Sequence, residues 1–189
     1  MLTHKKRTIY IFAIASAMNL IFFLIAYYLR LPLWLDTTGT VYITLLLGFP
    51  AGFLVGLINN TILSLVFYGF NSLSYYLVSV AVALTSHVWM KKIKKVNIKL
   101  CFMLVIFIFF FSAFFVIPLT FIVDKGVPAD YWGHRLFDFL CTRNYISEIA
   151  TILSVSCVKL FDVIITLVIV MCAYKLTPVK LKDSSHIIK

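Results

Sequence analysis

Long apolar runs alternate with short polar breaks along the chain. Apolar runs over 8–29, 100–123 and 149–174 each have the roughly 20 residues that a bilayer-crossing helix needs. Between Arg30 and Lys91 the pattern is finer. Breaks at Gly48-Phe49-Pro50 and at Gly69-Phe70-Asn71-Ser72 divide this region into a short helix over 37–47, a second over 51–68 and a third over 73–90. The first of these is too short to span alone unless the loop before it also dips into the membrane. The pattern predicts an all-α membrane protein: a single transmembrane domain, 1–189, built as a six-helix bundle whose second helix is short. The polar segment 124–148 mixes aromatics with charges and suits a lid or a short helix lying on the membrane surface.

Composition strengthens that reading. The 189 residues are 62% hydrophobic and 13% charged, against about 45–50% and about 25% in a soluble domain. No globular core could hide the excess. A net charge of +10 would point to nucleic acid in a soluble protein, but here the basic residues cluster at the ends of apolar runs, as orientation signals do. Six helices gather Lys5, Lys6 and Arg7, then Lys91, Lys92, Lys94, Lys95 and Lys99, then Lys175, Lys180, Lys182 and Lys189 on one side, with only Asp183 as an acid. The expected topology therefore has both termini cytoplasmic and the loop over 124–148 extracytoplasmic. The first apolar run is longer than the ~7–15 residues of a signal-peptide core, so it reads as a retained helix.

The most unusual segment is 31–60. It carries Asp36, threonines, four glycines, two prolines and the pair Asn59-Asn60 in an otherwise apolar region. Irregular backbone and polar groups survive at membrane depth only where protein or a water-filled cavity surrounds them. Gly48, Gly52 and Gly56 share one helix face, a spacing that lets two helix backbones approach closely. Asp36 or Thr37 is placed to cap the short helix, with the rival role that Trp34, Asp36 and Thr37 form a gate over an extracytoplasmic cavity. A lone asparagine in a membrane helix usually bonds a neighbouring helix, but Asn59 and Asn60 point about 100° apart, which suits a polar interior and makes both candidates for substrate contact. In the last helix Lys159 and Asp162 lie near mid-bilayer, where charges cost several kcal/mol unless they pair or face the bundle interior. Their spacing allows them to pair with each other or to meet a polar substrate group. In the first helix Ala13 and Ala17, with Ala15 and Ser16, form a patch suited either to internal packing or to docking another membrane subunit.

The sequence lacks His-Glu-x-x-His, Gly-x-Ser-x-Gly and the phosphate-cradling Gly-rich loop. The expectation is therefore a protein that is not an enzyme, with no catalytic residues, no cofactor and no metal; a small intramembrane enzyme using Asp36 or Asp162 ranks last. Cys101, Cys141, Cys157 and Cys172 show no metal-type spacing.

Taken in order, Leu-Pro-Leu-Trp-Leu-Asp-Thr-Thr-Gly-Thr over 31–40, the glycine ladder ending in Asn59-Asn60, and Ala13-x-x-x-Ala17 resemble the substrate-binding S components of energy-coupling factor (ECF) vitamin transporters. Lys159-Leu-Phe-Asp162 is similar to that family's last helix, where the acid and the lysine usually stand in the reverse order. The resemblance implies a multi-pass protein of the bacterial cell membrane that captures a vitamin or similar small metabolite outside the cell. It implies partners as well: a transmembrane coupling subunit, met through Ala13 and Ala17, and two cytosolic ATPase subunits that drive uptake. Substrate contact would then fall to Trp34, Asp36, Thr37, Asn59, Asn60, Lys159 and Asp162, with the loop 30–36 as gate. The alternative is a membrane sensor or assembly protein without transport activity.

Overall fold

The computed structural model describes residues 4–92 and 98–178. Lys94, Lys95, Lys180, Lys182, Lys189 and Asp183, on which part of the charge-based topology rests, lie outside the described residues. Every regular element among the described residues is helical: α1 (His4–Tyr28), α2 (Thr38–Leu47), α3 (Phe49–Leu63), α4 (Tyr76–Lys92), α5 (Ile98–Val123), α6 (Tyr131–Thr142) and α7 (Ser147–Leu176). A π-helical turn over Ser64–Tyr68 extends α3, and a 3-10 segment over Phe70–Tyr75 leads into α4. Gly69, at φ +83°, makes the reversal between them, a conformation that costs glycine little.

Four segments are long and apolar enough to cross a bilayer: Thr8–Tyr28, Phe49–Tyr68, Phe102–Val123 and Ser147–Leu176. The chain is thus a membrane protein, and the expectation of six crossings meets four on length and composition. The difference lies in α2 and α4. The 10 residues of α2 reach only about 15 Å, half the hydrocarbon thickness. The 17 residues of α4 stop short because the 3-10 segment interrupts the α-helical run.

The short helix is the centre of the bundle. All of α2 except Leu45 is buried, and α1, α3, α4 and α7 pack around it. A helix apolar on every face belongs inside, and the glycines on it and beside it set how closely it is gripped. A Cβ on Gly39 would overlap the Ala15 carbonyl of α1, so the two backbones touch there. A Cβ on Gly52 would overlap the Thr44 hydroxyl of α2, and one on Gly56 would come within 3.0 Å of Ser79 on α4. Gly52 and Gly56 therefore pack helices, whereas Gly48, at φ +85°, lies outside α3 and makes the break between it and α2.

An amide end inside protein needs acceptors, and neither expected cap supplies them at the start of α2. Thr37 occupies the N-cap position without a side-chain cap bond, and the Asp36 carboxylate turns to a cavity instead. The acceptor comes from another helix. Asn19 of α1, fully buried, accepts from Gly39 N–H at 2.6 Å and Thr40 N–H at 3.2 Å, and its amide donates to the Thr40 hydroxyl at 3.0 Å. Thr38 Oγ1 donates back to the Leu35 carbonyl.

Outside this centre α1 splits into two faces. Ile11, Ala15, Asn19, Phe23 and Ala26 point inward, while Ala13 and Ala17 are exposed beside Tyr10, Ile14 and Ile21. At the other end of the bundle α6 packs on α7. The Asp130 carboxylate caps α6 by accepting from Gly133 N–H at 2.6 Å, and the Trp132 indole donates to the Arg30 carbonyl at 2.6 Å. The segment expected to be a lid or surface helix is thus a capped 12-residue helix tied to the loop after α1.

Replacing Gly39 by Ala tests the α1–α2 contact. Overpacking a tight site typically costs about 1–3 kcal/mol, so the purified variant is expected to unfold at a lower temperature than wild type. An unchanged Tm would contradict the close approach.

Candidate functional site

Among α3, α4, α5, α7 and the loops that precede α2 and α6 lies a cavity of about 300 Å³. Its floor and walls come from α3 and its π-turn (Asn60, Ser64, Tyr68), the 3-10 segment (Ser72, Tyr75), α5 (Thr120) and α7 (Lys159). The loops close it: Trp34 and Asp36 ahead of α2, Asp124 and Asp130 between α5 and α6. Beyond lies a second, outer cavity of about 690 Å³, bounded by the end of α1, the loop after it and α6. Trp34, Tyr68, Ala129 and Asp130 line both spaces. The rings of Trp34 and Tyr68, with centroids 5.7 Å apart, form the partition. The π-turn matters here, because such turns re-aim a helix end and this one carries both Ser64 and Tyr68 to the wall.

The partition is held by an ionic contact beneath it. Asp162 has no solvent exposure, and Lys159 is 5% exposed. One oxygen of Asp162 takes the Lys159 ammonium at 2.7 Å. The other accepts the backbone N–H groups of Trp34 at 3.1 Å and Leu35 at 2.7 Å. Lys159 lies 12 residues into α7, about 18 Å along the helix, so the loop reaches deep into the bundle to meet it. Leu35 adopts φ +54°, a left-handed conformation that costs a non-glycine residue roughly 1–2 kcal/mol. Hydrogen bonds to a charged group contribute about 1.5–3 kcal/mol each, so two of them outweigh that strain. Asn59 adds a further hold, donating from Nδ2 to the Asp36 carbonyl at 3.0 Å.

Of the seven residues singled out for substrate contact, Trp34, Asp36, Asn60 and Lys159 line the inner cavity. Thr37, Asn59 and Asp162 lie behind the wall, buried among the groups that hold the loop. The asparagine pair divides between two roles. Asn59 grips the loop, and Asn60 faces the cavity while donating to Ser79 Oγ at 2.7 Å and the Gly56 carbonyl at 2.9 Å. No protein-family model, curated protein or solved structure matches the chain. What the site can do therefore rests on its own geometry.

Sequence reasoning passed over Asn19, Ser64, Tyr68, Ser72, Tyr75, Asp124 and Asp130 as individual residues. Asn19 carried a signal, since a lone asparagine in an apolar helix needs a partner. The others sit at helix ends, where polar and aromatic residues are ordinary. Their convergence is visible only in three dimensions. The Tyr75 hydroxyl donates to Asp124 Oδ2 at 2.5 Å and lies 3.3 Å from Thr120 Oγ1, and Ser72 Oγ donates to Ser64 Oγ at 3.0 Å. Burial raises the carboxyls of Asp124 and Asp130, opposed by the Tyr75 and Gly133 hydrogen bonds respectively. Burial also pushes the Tyr75 hydroxyl up, so it stays a proton donor.

The loop anchor predicts an asymmetry between two substitutions. Asp162→Ala leaves a buried ammonium unpaired and frees both loop amides, whereas Lys159→Met leaves the amides on their carboxylate. Removing one partner of a buried pair costs about 3–5 kcal/mol, so both variants lose stability. Only Asp162→Ala is expected to expose the loop over 29–37 to limited proteolysis. Equal cleavage of the two would contradict the anchoring role.

Proposed function

We propose that the chain is the substrate-binding subunit of an ECF-type importer, a six-helix S component with both termini in the cytoplasm of a bacterial cell. The observation that carries the reading is the inner cavity. It lies under a loop that dips into the bundle, with an apolar lining that carries a few polar and aromatic groups. Such a cavity, concave, mostly apolar and with a few convergent polar groups, is the usual form of a small-molecule site. In this reading the loop 30–36 is the gate, the Trp34–Tyr68 partition separates an outer vestibule from the bound cargo, and α6 is the lid beside it.

The second support is the outward face of α1. Ala13 and Ala17 do not pack within the chain, while Ala15 and Asn19 between and beyond them do. An exposed small-residue stripe on a membrane helix allows another helix to approach closely, as contact with a transmembrane coupling subunit requires. Two cytosolic ATPase subunits complete the transporter and supply the energy that this chain has no nucleotide loop to harvest.

Co-expression with an ECF coupling module tests the reading. The chain is expected to co-purify with the module and to support ATP-dependent uptake of a small metabolite by cells or vesicles. Ala13→Phe with Ala17→Phe is expected to abolish both while leaving ligand binding to the isolated chain intact. Failure of the wild-type chain to co-purify with any coupling module would overturn the assignment, and loss of binding in the double variant would show the stripe to be internal packing.

A further inference from the structure

The charge inside the inner cavity specifies what kind of molecule fits it. Lys159 is the one basic residue lining that cavity among the described residues, and its ammonium is held by Asp162, which lies behind the wall. That leaves the carboxylates of Asp36, Asp124 and Asp130 on the cavity surface. None of the three forms an ion pair among the described residues. Asp36 lies within the electrostatic reach of Lys159, whereas Asp124 and Asp130 are met by neutral donors, the Tyr75 hydroxyl and Gly133 N–H. Buried carboxylates without a cation are costly, and burial holds Asp124 and Asp130 above the usual carboxylate range, as uncompensated groups should be.

Arg30 and Arg135 do not supply the missing charge. Both guanidinium groups lie 5.1 Å from the centre of the Tyr131 ring in the outer cavity, beyond the Trp34–Tyr68 partition. Nor is the site shaped for a bare metal ion. No three carboxylates, imidazoles or thiols among the described residues come close enough together to ligate one. The acids are spread around a space of about 300 Å³, at the lower end of small-molecule sites, which run from about 300 to 1,000 Å³. The rings of Trp34, Tyr68 and Tyr75 share its wall, and aromatic faces attract cations as well as flat apolar bodies.

We propose that the inner cavity binds a small organic cation, a protonated amine, amidine or cationic nitrogen ring on a compact aromatic or apolar body, with Asp124 and Asp130 balancing its charge. The assignment rests on the reading of this cavity as the cargo site of a substrate-binding subunit. Asn60 and the serine hydroxyls then serve the polar edge of the body, and Trp34 and Tyr68 close over it.

Benzamidine, benzamide and benzoate are nearly the same shape and differ in charge, so they separate charge from fit. Thermal-shift and calorimetric titrations of the purified full-length chain at neutral pH are expected to rank benzamidine first. Its margin over benzamide should be about tenfold or more, and benzoate should not bind measurably. Asp124→Asn with Asp130→Asn keeps the Tyr75 acceptor and an α6 cap, and is expected to erase that margin without lowering the Tm of the unliganded chain. Benzoate or benzamide binding as well as benzamidine, or none of the three binding at millimolar concentration, would overturn the proposal. So would a margin that survives the double substitution. A neutral or anionic vitamin that stabilises the chain and is taken up with a coupling module would also overturn the cation assignment, while leaving the transport reading standing. Absence of a coupling partner would remove the transport reading and leave benzamidine binding as the cavity's own property.

Discussion

One buried carboxylate holds this structure's working end together. Asp162 sits about 22 Å down the last helix, and it joins that helix to a loop that has no other reason to reach it there. It takes the ammonium of Lys159 on one oxygen and the amides of Trp34 and Leu35 on the other. An ionised carboxylate at that depth is tolerable only with its lone pairs filled. Equally, backbone amides in an irregular loop at that depth are tolerable only with acceptors. Each solves the other's problem. The consequence is a strained Leu35, a Trp34 ring laid against Tyr68 and a cavity behind them.

The same trade operates at the start of α2. A 10-residue helix buried in the middle of a membrane bundle has first-turn amides that water cannot reach. Asn19, on a neighbouring helix, accepts from two of them, and the overlap that a Cβ on Gly39 would make with Ala15 shows how closely α1 must lie to do so. Local capping by Asp36 or Thr37 is the ordinary solution. Its replacement by a cap from another helix leaves the Asp36 carboxylate available to the cavity, so an unusual piece of helix architecture has a direct effect on the site's charge.

These two contacts mark the limit of what the sequence could tell. The apolar runs, the breaks at Gly48 and Gly69 and the glycine ladder have local causes: residue length, turn geometry and small side chains at helical spacing. They were legible for that reason. Lys159 and Asp162 stood out because charge at that depth needs explaining, and their mutual pairing was readable from the i, i+3 spacing. Their grip on a loop 127 residues away in sequence was not, because backbone amides leave no trace in composition. The cavity was half legible. Trp34, Asp36, Asn60 and Lys159 were singled out, but Tyr68, Tyr75, Asp124 and Asp130 sit at helix ends where such residues carry no distinctive pattern. Four crossings stand on length and composition among the described residues, and the other two expected helices are shorter because α2 has 10 residues inside the bundle and a 3-10 segment precedes α4.

The central claim is that the space closed by the Asp162-held loop is a binding site for one small molecule. Native mass spectrometry of the detergent-purified chain, equilibrated with a small-molecule extract of the host cells, tests this most directly. The account predicts a single small-molecule adduct per chain, absent from a Val158→Trp variant whose indole fills the cavity. A wild-type chain that carries no adduct, or an adduct retained equally by Val158→Trp, would contradict it.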